Sequence, residues 1–214
     1  MPKVGIEPTQ PKLGDFKVEI LTDRPSHEVR LALETFFSEG QPDDLTLLIF
    51  SGQGIKSRDG MLYFLTIDTR LNLLRSTALS AKFVNEVMGL SHSTQKIMIL
   101  DCGYIGAFDK QEVVKGSSDV VAGEYFAGSG RVVLSALQDN SRLPEGPRSH
   151  SSVIRNLALG LKYRKADIDR DSYVSMDDAF EYLCKIQKPE IWRDPSLNSD
   201  YILAKALVTE NIEA

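Results

Sequence analysis

Histidine and cysteine, on which much proton-transfer and nucleophilic chemistry depends, are scarce here: three of one and two of the other in 214 residues. Two cysteines in a chain of this length exclude a disulfide scaffold, and a reducing cytoplasm is the expected setting. Long apolar runs are missing too. The longest, such as Leu47 to Phe50, fall far short of the roughly 20 residues that span a bilayer, so no membrane helix is expected. The amino terminus, MPKVGIEPTQPKLGDF, has prolines and charges where a secretory signal needs an apolar core, and export is not expected. No basic run occurs, and 30 acidic against 25 basic residues leave a net charge of −5, which excludes a binder that neutralises many nucleic-acid phosphates. A hydrophobic content of 42% excludes wholesale disorder, and the length fits one α/β domain.

What is present is an alternation of strand and helix patterns. Phe16, Val18 and Ile20 alternate with Lys17 and Glu19, which predicts a half-buried strand over Phe16 to Leu21. Ser26 is a candidate N-cap, and Val29, Leu33, Phe36 and Phe37 make one apolar helical face that stops near Gly40. Leu45 to Phe50 is apolar on both faces, as suits the interior of a parallel sheet, and ends in a loop, SGQG. Asp59-Gly60 signals a turn before a strand in MLYFLTID; a helix is predicted from Ser80 to Met88, stopped by Gly89. Ile97 to Leu100 is another buried strand and runs into the loop DCGYIG. Residues 109–130 read mainly as a surface loop, Arg131 to Leu137 as a strand, 153–161 and 176–183 as helices, and Tyr201 to Ala206 as a last strand. Trp192 reads as local packing. Such alternation predicts a mostly parallel sheet covered by helices on both faces, in which ligands gather at the carboxyl ends of strands.

Both predicted strand-end loops carry a resemblance. The stretches DDLTLLIFSGQGIKSRDGMLYFLTIDT and KIMILDCGYIGAF resemble the bacterial caspase-like and metacaspase cysteine peptidases, in which the first strand ends in Ser-Gly-His-Gly and the second in Asp-Cys-Cys-Tyr-Ser-Gly-Ala-Phe. GRVVLSA, SSVIRNLALGL and ADIDRDSYVSMDDAFEYL are similar to later landmarks of the same domain, so the likeness runs in order from about residue 14 to about 206. It implies a caspase-like three-layer α-β-α sandwich as a single domain over residues 14–214, preceded by an extension of residues 1–13.

The resemblance also implies a dyad that this chain does not carry. The family imidazole falls on Gln53 and the nucleophilic thiol on Gly103; Ile105 stands where the family often has Ser. Gln does not titrate near neutral pH and Gly has no side chain, while loss of a nucleophile alone costs on the order of 10⁶ in kcat in a well-studied hydrolase. An inactive peptidase follows. Cys102 is the alternative nucleophile, for residual Arg- or Lys-directed cleavage, but one residue along a strand turns a side chain to the opposite face. A buried packing thiol is the preferred reading, and His27, His92 and His150 read as surface residues. Ser51 and Asp101 match family residues that line an acidic pocket for a substrate Arg or Lys, a job suited to charge-assisted hydrogen bonds; the plain alternative is that Asp101 caps nearby backbone amides. Gly54 and Gly103 are vestigial candidates for oxyanion amides.

Family members begin with an apolar strand and a helix that the first 13 residues are too short and Pro-rich to supply. The resemblance therefore implies that Phe16 to Leu21 either closes against Leu45 to Phe50 or leaves an open sheet edge, a template for another chain. Near the other end, Asp167, Asp169, Asp171, Tyr173, Ser175 and Asp178 occupy offsets 1, 3, 5, 7, 9 and 12 of a calcium loop, with Ser172 in the glycine position and Asp178 in place of Glu. Ser175-x-x-Asp178 is also a capping box, and this is the preferred reading, with no cofactor. The functional expectation is a non-proteolytic caspase-like domain that binds protein: a regulator, decoy or assembly partner of an active relative, or of itself, with no nucleic-acid or membrane role. A decayed copy without selected function is the remaining alternative.

Overall fold

The computed structural model describes residues 17–57, 59–105, 122–139 and 152–205. In chain order its elements are α1 (Ser26–Glu39), β1 (Leu45–Lys56), β2 (Leu62–Phe64), α2 (Leu74–Thr77), β3 (Leu79–Ser80), α3 (Ala81–Leu90), β4 (Gln95–Ile105), α4 (Ala122–Phe126), β5 (Arg131–Asp139), α5 (Ser152–Lys162), β6 (Tyr173–Ser175), α6 (Met176–Cys184), β7 (Glu190–Arg193) and β8 (Ile202–Lys205). Six strands form a mostly parallel sheet in the order β3-β2-β1-β4-β5-β7, and its centre is the parallel trio β1, β4 and β5. β6 and β8 pair apart from it in a two-stranded sheet.

Alternation along the central strands builds a core on each face. Met98, Leu100, Cys102 and Val133 point to the side covered by α1, α3 and α4, where Phe37, Val84, Met88 and Phe126 meet them. Ile97, Ile99, Val132 and Leu134 point to the other side, against Val153 and Leu157 of α5 and Ala179 and Leu183 of α6. The four residues Ile97 to Leu100 are essentially inaccessible to water. At roughly 1.5–3 kcal/mol for each large apolar side chain, β4 is the axis of the fold. The result is a three-layer α/β sandwich.

Several elements depart from what the sequence predicts. Residues 17–22 form no strand, and Val18 and Ile20 are 71% and 80% exposed. A period-2 pattern needs a neighbouring strand to become a ladder, and this segment has none among the described residues; Phe16 lies outside them. Its Lys17 instead reaches Glu39 at the far end of α1. The helix predicted to stop at Gly89 runs through it to Leu90. MLYFLTID gives a strand only at Leu62–Phe64, because Asp68 turns away to hold the start of α1. Of the stretch 109–130, residues 109–121 lie outside the described residues, and the remainder is not all loop: it holds α4, with Phe126 fully buried. Gly123 disguises that helix, yet a Cβ there would lie 2.4 Å from the Trp192 ring, so only glycine lets α4 approach β7. Gly130, at φ 68°, sits so close to the Thr94 carbonyl oxygen that a Cβ would be 2.1 Å from it. The last strand forms as Ile202–Lys205 but pairs with β6 rather than joining the main sheet; Ala206 lies outside the described residues.

β1 combines an interior strand's sequence with an exposed position. It pairs with β4 from Leu45 to Ile55, but on its other side β2 meets only Gly54, Ile55 and Lys56. Among the described residues, the outer edge of residues 45–52 has no partner strand. Leu45, Leu47, Leu48 and Phe50 are half-buried and Ile49 is 46% exposed, whereas the matching stretch of β4 is buried.

Candidate functional site

SGQG and DCGYI are not loops. β1 continues through Lys56 and β4 through Ile105, because the parallel ladder between them persists past the apolar segments. In that ladder Ser51 is paired with Asp101, Gly52 with Cys102, Gln53 with Gly103, and Gly54 with Tyr104. Register partners on parallel strands share a face, so Gln53 sits on the same face as Ser51 and Asp101, two residues before. That face is the one carrying Leu47, Ile97 and Ile99, toward α5 and α6.

Asp101 is buried, and its Oδ2 accepts hydrogen bonds from the backbone N–H groups of Val153 and Ile154, each at 3.0 Å. These are donors in the first turn of α5 that have no carbonyl within the helix to bond, so a carboxylate from β4 caps that helix across the sheet. The amide-capping role raised from the sequence is thus present in the structure. Ser51, its register partner, is exposed.

Cys102 points the other way. It is 1% exposed in the core beneath α1, α3 and α4, on the face opposite Gln53. Burial pushes its thiol well above the usual range, and the neighbouring Asp101 charge adds to the shift. A thiol held protonated is a poor nucleophile. The other cysteine, Cys184, is exposed at the end of α6.

Gly54 lies between Tyr104 on β4 and Phe64 on β2, and Gly103 between Gln53 on β1 and Gln138 on β5. Ile105 is paired with Ile55 at the end of the β4 ladder. His27 and His92 are exposed, and His150 falls outside the described residues. A surface hollow lined by Ser57, Tyr63, Leu71 and Arg75 lies beside the β2 hairpin and includes none of the strand-end residues.

The acidic loop joins α5 to α6. Carboxylate oxygens of Asp167, Asp169 and Asp171 lie within 4.8 Å of one another. Beyond them, the Ser175 hydroxyl accepts from Asp178 N at 3.1 Å while Asp178 Oδ2 accepts from Ser175 N at 3.0 Å, the reciprocal capping box that starts α6. Asp178 Oδ1 also accepts from Ile168 N at 3.3 Å.

Two structural anchors escaped the sequence reading. Ser26 was the candidate cap of α1, but its own N–H and hydroxyl donate to Asp68, at 2.8 and 3.1 Å. Desolvation, the largest single influence on Asp68, opposes its charge, yet the bonds from Thr66 and Ser26 together hold its carboxyl below the usual range. The partner is 42 positions away, so no local pattern signals it. Arg131 is the other: its buried guanidinium bonds the Phe126 carbonyl and both the side chain and carbonyl of Asn85.

No protein-family model matches this chain, and no curated protein matches it either.

Proposed function

We propose that this chain is a caspase-like domain that does not hydrolyse peptides and acts by binding protein. The observation that carries the reading is the pairing of Gln53 with Gly103 across β1 and β4. Under the resemblance these positions hold an imidazole and a thiol, and here neither residue can take a proton near neutral pH or attack a carbonyl. Cys102 is no substitute from the opposite face, where it is buried and held protonated. What supports binding is β1 itself. Its stretch 45–52, which has no outer partner strand among the described residues, offers main-chain donors and acceptors beside half-exposed apolar side chains, and suits an extended segment that is apolar on both faces, as an inner strand must be. The segment comes from a caspase-like relative or from a second copy.

The test pairs a fluorogenic peptide assay on Arg, Lys and Asp substrates with light scattering and hydrogen exchange. No turnover above background is expected, together with association that Ile49→Lys, a charge on the open edge, removes. Turnover lost in Cys102→Ala would refute the non-catalytic reading. A strict monomer whose amides on the outer edge of residues 46–52 are already protected would refute binding through β1.

A further inference from the structure

We infer that the loop from Asp167 to Asp178 is a divalent-cation site selective for calcium. This inference stands on the loop alone and is independent of the function proposed above.

The carboxylates of Asp167, Asp169 and Asp171 converge at loop positions 1, 3 and 5, and the backbone carbonyl of Tyr173 occupies position 7. An acidic cluster on a surface is ordinary, and Asp169 and Asp171 are exposed. Asp167 is not ordinary. It is 8% exposed, and its Oδ1 is fully buried with no hydrogen-bond partner. Its Oδ2 has only a 3.8 Å contact with Arg164 Nη2. A carboxyl oxygen withdrawn from water without a compensating bond is costly, and a cation bound between Asp167, Asp169 and Asp171 supplies the missing partner.

Two features of the sequence argue against calcium, and the structure answers both. Ser172 replaces the glycine of the sharp turn, yet it adopts φ 73°, the left-handed conformation that glycine would supply. The capping box does not compete with the metal, because it uses Ser175 and Asp178 at positions 9 and 12 and leaves the three convergent aspartates out of the cap. Asp178 is one methylene shorter than Glu and is occupied at the cap, so water completes the coordination on that side. Three carboxylates with a backbone carbonyl at the next loop position form an all-oxygen set in the calcium-loop spacing, which favours calcium over magnesium, a cation that keeps most of its waters in a tight octahedron.

The full chain, stripped with EDTA, is titrated with CaCl₂ and followed by thermal unfolding, with MgCl₂ at equal ionic strength as the comparison. A saturable rise in Tm of about 5–10 °C at a hundredfold excess over Kd is expected. Asp169→Asn, at an exposed position that leaves folding intact, should abolish the rise. Asp177→Asn, one residue outside the ligand set, should preserve it. No saturable rise up to about 10 mM calcium, above the weakest usual range, would overturn the inference. An equal rise with magnesium, or an unchanged rise in Asp169→Asn, would reduce the effect to charge screening and overturn it as well.

Discussion

Replacing Asp101 with alanine separates a structural from a binding role for the most buried acid at the strand ends. In the native fold one carboxylate oxygen holds two backbone N–H groups of α5 at 3.0 Å, and the first of them, on Val153, belongs to a buried residue. Losing a side-chain helix cap costs about 1 kcal/mol, and a buried donor left without a partner about 1–3 kcal/mol. The negative charge at the helix start contributes about 0.3–1 kcal/mol more. These contributions overlap, because all describe the same two amides, so the expected loss is about 3 kcal/mol. With an m-value of roughly 2–3 kcal/mol/M in urea, the midpoint should fall by about 1–1.5 M at unchanged slope. Asp101→Asn keeps an acceptor oxygen and loses the charge, and should cost about 1 kcal/mol. Equilibrium urea unfolding followed by Trp192 fluorescence measures all three proteins. A midpoint for Asp101→Ala within about 0.2 M of the parent would refute the cap as a significant anchor. If Asp101→Asn instead kept its stability but lost binding of an Arg peptide that the parent binds, the carboxylate would be serving the pocket.

Two more outcomes follow from the placement of particular groups. A thiol-disulfide reagent should label one cysteine per native chain, Cys184, and two after unfolding; rapid native labelling of Cys102 would contradict its burial beneath α3. Asp68 has a folded-state carboxyl below its unfolded value of roughly 3.9, so its stabilisation is complete above that pH and is lost as acid carries the pH down through the folded value. Asp68→Asn should therefore flatten the acid limb of stability between about pH 5 and pH 2, and an acid limb identical to the parent's would show that the charge contributes nothing there.

Legibility followed the range of the interactions involved. The helices α1, α3, α5 and α6 and the strands β1, β4 and β5 are written in runs of apolar residues whose spacing matches the element they form, and burial of those faces is what holds them. The capping box of α6 spans four residues and could be read directly. What could not be read depends on distant partners. Asp68 reaches across to α1, Asp101 reaches α5 over 52 positions, and α4 forms where Gly123 admits Trp192. The segment 17–22 shows the converse: a strand pattern that is locally sound yields no strand without a neighbour. SGQG and DCGYI follow the apolar strands predicted before them but were read as loops, because glycine and polar residues mark loops only when no ladder continues through them.

The residues at the strand ends differ in what folding requires of them. Asp101 has a structural duty, since α5 would begin with unsatisfied donors without it. Cys102 fills space in a close-packed core, where even one methylene is felt. Gln53 and Gly103 contribute backbone to a ladder held by the apolar segments before them, the half-buried Leu45 to Phe50 and the buried Ile97 to Leu100. Nothing in that ladder calls for an imidazole at one position or a thiol at the other. Under the caspase-like reading, Gln53 and Gly103 are the positions that depart from the reactive pair, while the acid and the core thiol beside them keep structural duties. Under that reading, the requirements of folding account for Asp101 and Cys102, and hydrolysis need not be invoked to account for either.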